Sequence, residues 1–123
     1  MRYLLDTHIF LWWLKGDKRL GRKTKEIIRN SHNEIFISVV STWEMSIKQK
    51  VGKLSLKASV GEYFEQSGFL ILDVVLDHIL ALEKLPFHHQ DPFDRLLVAQ
   101  ARAENLVFVT DDRKIKQYDL KIA

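Results

Sequence analysis

Acidic residues stand at Asp6, Glu44, Asp91, Asp94, Asp111 and Asp112, in four segments far apart in the chain. Each segment reads as the end of a strand or the start of a helix. Carboxylates gathered from such ends could hold a divalent cation. Two charges about 4 Å apart repel by roughly 4 kcal/mol at an effective dielectric near 20, and a fold accepts that most readily when a cation offsets it. The chain has no cysteine, so an all-oxygen ligand set favours Mg²⁺ or Mn²⁺ over zinc. Such an ion can activate water and stabilise the leaving oxygen in phosphodiester hydrolysis.

Each acid also has a purely structural account. Asp6 can cap the helix that begins at Thr7-His8. Glu44 closes Ser41-Thr42-Trp43-Glu44, the pattern of a capping box with Ser41 as the cap, and stands four residues before Lys48, a helical ion-pair spacing. Asp91 is the better cap of its helix, because Pro92 then takes the first helical position. That leaves Asp94 a surplus carboxylate in the first turn, where the helix dipole favours an anion. Arg95 beside it could orient Asp94, touch phosphate or form a plain salt bridge. Either Asp111 or Asp112 could cap the Arg113–Tyr118 segment, one of the pair facing the strand ends and the other solvent. Convergence of the acids, not any one residue, carries the metal reading.

The elements that must position them alternate. Strands are predicted at Tyr3–Asp6, Glu34–Ser38, Leu70–Val74 and Leu106–Thr110, with Lys121–Ile122 as a short final edge strand. Helices are predicted at His8–Lys15, Lys23–Ser31, Thr42–Lys50, Val60–Ser67, Asp77–Leu85 and Pro92–Glu104. This order predicts an α/β fold, a parallel β-sheet sandwiched between α-helices. Functional groups gather at the carboxyl ends of such strands, where Asp6 and Thr110-Asp111-Asp112 fall. The length of 123 residues suits one domain, 1–123, and no linker or repeat divides it.

The formal charge of +3 and the basic stretch Lys15–Arg29 are compatible with a polyanionic partner, as they are with a solvated surface. Lys48, Lys50 and Lys53 carry the same two readings. An acid as early as Asp6 interrupts the apolar stretch a secretory signal needs, and the apolar runs Ile9–Leu14 and Ile35–Val40 are too short to cross a bilayer. A cytoplasmic protein without membrane attachment is the expectation. Trp12 and Trp13 point about 100° apart on a helix, which would leave one exposed for a partner. His88 and His89 read as solvent-facing loop residues, and His8 as orienting the turn after Asp6.

The chain resembles the PIN-domain nucleases, most closely the VapC-type toxins of bacterial toxin–antitoxin systems. Four segments carry the resemblance: Leu4-Leu5-Asp6-Thr7-His8, Ile37-Ser38-Val39-Val40-Ser41-Thr42-Trp43-Glu44, Asp91-Pro92-Phe93-Asp94-Arg95-Leu96-Leu97-Val98-Ala99-Gln100-Ala101 and Val109-Thr110-Asp111-Asp112. It implies an Mg²⁺-dependent endoribonuclease with Asp6, Glu44, Asp94 and Asp112 as its acids. The last follows a Thr-x-Asp pattern, with Asp111 in the variable middle position. One or two cations would be held mainly by Asp6 and Asp94. Thr7 and Thr110 would line or brace the site, with Asp91 supporting. The resemblance further implies an RNA substrate, an antitoxin partner and a homodimer. Two other readings compete. An aspartyl-phosphate phosphohydrolase would usually carry a second acid two residues after Asp6, where His8 stands. A non-catalytic partner-binding module could use the same fold.

Overall fold

The computed structural model describes residues 1–123. Its four strands are β1 (Arg2–Leu5), β2 (Glu34–Ser38), β3 (Leu70–Leu72) and β4 (Val107–Val109). They form one sheet in the order β3-β2-β1-β4, every pair parallel. The helices are α1 (Thr7–Lys15), α2 (Arg22–Arg29), α3 (Val39–Lys50), α4 (Val60–Ser67), α5 (Leu76–Glu83) and α6 (Pro92–Ala103), with a short 3₁₀ turn at Ile115–Gln117. The predicted fold class holds.

Side chains alternate across a strand, and here both faces are apolar. Tyr3, Leu5, Ile35, Ile37, Val107 and Val109 face a core completed by Phe10, Met45 and Phe64. Leu4 and Phe108 face the other, built with Val40, Leu97, Val98 and Ile115. A sheet covered on both faces explains why these strands read as continuous apolar runs rather than as alternating ones. The predicted strand at Lys121–Ile122 is reduced to a single parallel bridge between Phe108 and Ile122, and β3 ends two residues earlier than predicted.

A larger difference lies at α3. The helix begins at Val39, not Thr42, and its cap is Ser38, whose Oγ accepts the Val40 N–H at 3.0 Å. The capping box built on Ser41 and Glu44 is therefore absent, and both residues lie inside the helix. Ser38 prevails because it holds two partners at once: its hydroxyl also donates to Gln100 Oε1 at 2.6 Å, across the core. Gln100 Nε2 in turn donates to the Asp73 carbonyl and to His78 Nδ1. Removing the hydroxyl would uncap α3 and strand a buried amide oxygen. Ser38→Ala is thus expected to lower unfolding stability by about 2 kcal/mol, read by urea titration. A change within error of zero would show that neither bond matters.

Candidate active site

α1 and α3 directly follow β1 and β2, and α6 precedes the parallel strand β4, so all three begin at the carboxyl edge of the sheet. The cap position of α1, the second turn of α3 and the first turn of α6 bring Asp6, Glu44 and Asp94 near one another. The loop after β4 adds Asp112.

Asp6 directly follows β1 and is fully buried. It occupies the N-cap position of α1 but makes no side-chain cap bond, so capping does not account for it. Instead, Thr110 Oγ1 donates to its Oδ2 at 2.7 Å. The same Thr110 oxygen accepts the Asp112 N–H at 3.1 Å. One hydroxyl thus ties the ends of β1 and β4 together, which gives the Thr-x-Asp spacing a physical reason. Thr7 turns inward and shares a 2.8 Å hydrogen bond with Ser41 of α3, bracing the second acidic helix against the first.

Glu44 is buried and accepts a 2.7 Å ion pair from the half-exposed Lys48 on its Oε2. Asp91 caps α6 as expected: its Oδ1 accepts the amides of Phe93 at 2.8 Å and Asp94 at 3.1 Å. Asp94 is then free of capping duty and is buried near the other acids. Burial, and after it the charges of Asp6, Asp91, Glu44 and Asp112, together push its carboxyl up to about 8. Burial likewise raises Asp6, against the lowering effect of the Thr110 hydrogen bond. Of the adjacent pair, Asp111 is exposed, whereas Asp112 is half-buried and turns toward the cluster.

Two buried oxygens, Asp6 Oδ1 and Glu44 Oε1, have no hydrogen-bond partner. An unpaired buried carboxylate oxygen is costly, and a hard divalent cation bound by oxygen is what would satisfy both. The residues present fit such an ion.

Three expectations need correction. Arg95 neither pairs with Asp94 nor reaches the site. Its guanidinium is buried, donates to the Pro86 and Leu85 carbonyls and to the Tyr118 hydroxyl, and stacks on Phe87. Neither Trp12 nor Trp13 stands free: both are half-buried, with Arg19 over the first ring and Arg29 over the second. The exposed indole is Trp43, 58% accessible, its ring held edge-on by Phe93 at 4.9 Å between centroids. Its position beside Glu44 was the available signal. Last, His89 does not face solvent. Its Nε2 lies 3.1 Å from both Asp94 Oδ2 and Asp112 Oδ2. Its closeness to Asp112 spans 23 residues, and no local pattern could have shown it. His88 is the exposed member, against Tyr118.

A profile of the PIN domain family matches residues 3–121. Ribonuclease VapC22 of Mycobacterium tuberculosis is 24% identical over 118 residues, 94% of this chain and 90% of that protein. Among solved structures, VapBC2 from Rickettsia felis bound to a DNA fragment from its promoter superposes with a TM-score of 0.75 at 22% identity. That match covers 100% of this chain and 98% of the other. DNA-bound VapBC from Salmonella typhimurium gives 0.72 at 16%, covering 100% and 97%. These structural likenesses carry the fold. With the family profile spanning nearly all of its length, the chain belongs to the PIN domain family.

Proposed function

We propose that this chain is a metal-dependent endoribonuclease, acting in the cytoplasm as the toxin of a toxin–antitoxin pair. The observation that carries the chemistry is the pair of unpartnered buried oxygens, Asp6 Oδ1 and Glu44 Oε1, within a cluster of acids at the strand ends. Asp6 and Asp94 would hold the ion chiefly, with Glu44 and Asp112 contributing directly or through water. Mg²⁺ is the favoured ion and Mn²⁺ the alternative. When bound, the cation supplies an acidified water and neutralises charge on the phosphate. The protein's own part is to fix the carboxylates. Thr110 holds Asp6, and Asp91 fixes the first turn of α6 and so the direction of Asp94. Lys48, 2.7 Å from Glu44 at the edge of the cluster, would meet a substrate phosphate.

Single-stranded RNA offers unstacked bases, which aromatic faces bind. The exposed Trp43, braced by Phe93 and adjacent to Glu44, would receive one. Base stacking is worth about 1–3 kcal/mol. Trp43→Ala is therefore expected to raise KM for RNA roughly tenfold and leave kcat nearly unchanged in steady-state kinetics. An unaltered KM would remove Trp43 from the substrate path.

The antitoxin partner is supported by the VapBC neighbours and by Trp43, Ile47 and Val51. Trp43 and Ile47 share one exposed face of α3 at the spacing that aligns helical side chains, and Val51 follows at its C-cap. A homodimer is supported by the exposed apolar residues Ile71, Val75, Leu76 and Leu80 on the edge strand β3 and on or just before α5. No helix is long and apolar enough to cross a membrane. The nuclease reading is tested by incubating purified protein with RNA and Mg²⁺ or Mn²⁺, beside Asp6→Asn and Asp94→Asn. Equal cleavage by all three proteins, or none by the wild type, would overturn it.

A further inference from the structure

His89, Asp94 and Asp112 bring three potential ligand atoms within 4.8 Å of one another, an arrangement that invites reading the imidazole as a metal ligand. Its hydrogen bonds say otherwise. His89 Nδ1 accepts the backbone N–H of Asp91 at 3.0 Å. A neutral imidazole carries one N–H, on one nitrogen or the other. With Nδ1 accepting, the proton sits on Nε2, and an Nε2–H has no lone pair for a cation. The same Nε2 donates to Asp112 Oδ2 at 3.1 Å and lies 3.1 Å from Asp94 Oδ2, so one imidazole N–H stands between the two acids.

We propose that His89 is a positioning residue, not a ligand of the cation: its Nε2–H holds Asp112 by a hydrogen bond while the ring edge stands against Asp94, a clamp that sets the two acids relative to each other. The clamp rests on the metal-dependent reading for its purpose, but not for its geometry.

The loop is built to hold the ring in this pose. The His89 backbone N–H donates to the Tyr118 hydroxyl at 3.0 Å. That hydroxyl also accepts from Arg95 Nη1 at 3.2 Å, whose other bonds secure the carbonyls of Leu85 and Pro86 just upstream. Arg95 therefore bears on the site only indirectly, by anchoring the loop that carries His89. The clamp also separates the adjacent acids: Asp112 is the one it engages, and Asp111 stays exposed.

Groups that orient ligating carboxylates typically change metal affinity by about 10–100-fold when removed. Two variants divide the imidazole's functions. His89→Gln keeps an N–H near the Nε2 position. His89→Asn keeps an acceptor for the Asp91 amide but cannot span both carboxylates. By calorimetry with Mn²⁺, His89→Asn is expected to bind about 10–100-fold more weakly and His89→Gln close to the wild type. Pulsed EPR of the Mn²⁺-loaded wild type is expected to lack the nitrogen coupling of a directly bound imidazole. Nitrogen-15 NMR of the metal-free protein is expected to show His89 protonated on Nε2 only. A directly bound nitrogen, a ring protonated on Nδ1, or wild-type affinity in His89→Asn would each overturn the clamp. A wild type that binds no Mn²⁺ while its ring shows the expected tautomer would instead sink the metal-dependent reading and leave the clamp on the two acids standing.

Discussion

Asp94→Asn is expected to cleave single-stranded RNA in Mg²⁺ about a thousandfold more slowly than the wild type, with Asp6→Asn similar. A bound cation supplies several kcal/mol of transition-state stabilisation, and each 1.4 kcal/mol or so is a factor of ten in rate. The substitutions are nearly isosteric and spare the local fold. The Asp94 backbone amide keeps its capping bond to Asp91, and an asparagine at position 6 still offers an oxygen to the Thr110 hydroxyl. A loss of activity then reports the missing charge rather than a collapsed helix. Melting curves supply the control. Mg²⁺ should stabilise the wild type by mass action and leave Asp94→Asn unmoved. Full cleavage by both variants would mean that these acids hold no functional ion.

The metal-free protein is expected to lose stability as pH rises from about 4 to about 8, and Asp94→Asn is expected to abolish much of that loss. Burial and the surrounding carboxylates raise Asp94 to about 8 in the folded state, while an unfolded aspartate titrates near 4. Between those values the folded chain keeps a proton that the unfolded chain has released. Stability falls with pH wherever the native state binds more protons. The slope from this group is about 1.4 kcal/mol per pH unit at its steepest, and it flattens once Asp94 itself ionises. Asp6, raised by burial, contributes in the same direction. Urea titrations in chelator across that range, taken as the difference between wild type and Asp94→Asn, isolate the effect. Above pH 7 the variant should be the more stable protein. Saturating Mg²⁺ should reverse the wild-type trend, because the ion binds only ionised ligands. A wild type that gains stability toward pH 8 without metal, beside a variant that melts lower, would mark Asp94 as a structural anion.

Local rules reached a definite depth in this chain. Pro92 at the first helical position identified Asp91 as the cap of α6 and left Asp94 without a structural task, as the backbone bonds to Asp91 bear out. The Glu44–Lys48 spacing gave the ion pair that forms. Short apolar strands alternating with helices gave the parallel sheet. Each of these depends on residues within about four positions of one another, or on a periodicity that a few residues display.

Where two local solutions were nearly equal, only the folded core chose between them. Ser38 and Ser41 are both competent caps. Ser38 won through Gln100, 62 residues away, and the capping box at Glu44 disappeared with that choice. Arg95 turned from the neighbouring acid to two carbonyls and a tyrosine hydroxyl 23 residues on. Trp43 rather than Trp12 or Trp13 was left exposed, because arginines at positions 19 and 29 covered the adjacent pair.

The acids divide along the same line. Sequence alone determined that Asp6 stood at a strand end and Asp91 and Asp94 at a helix start, since periodicity and capping are properties of neighbouring residues. It did not determine that Asp6 would be buried and held by Thr110, 104 residues away, or that Glu44 and Asp6 would each keep a buried oxygen without a partner. Nor did it determine that His89 would stand between Asp94 and Asp112. Those are distances between separate elements. The packing of both faces of the sheet fixes them, and with them the protonation and pairing on which the chemistry depends.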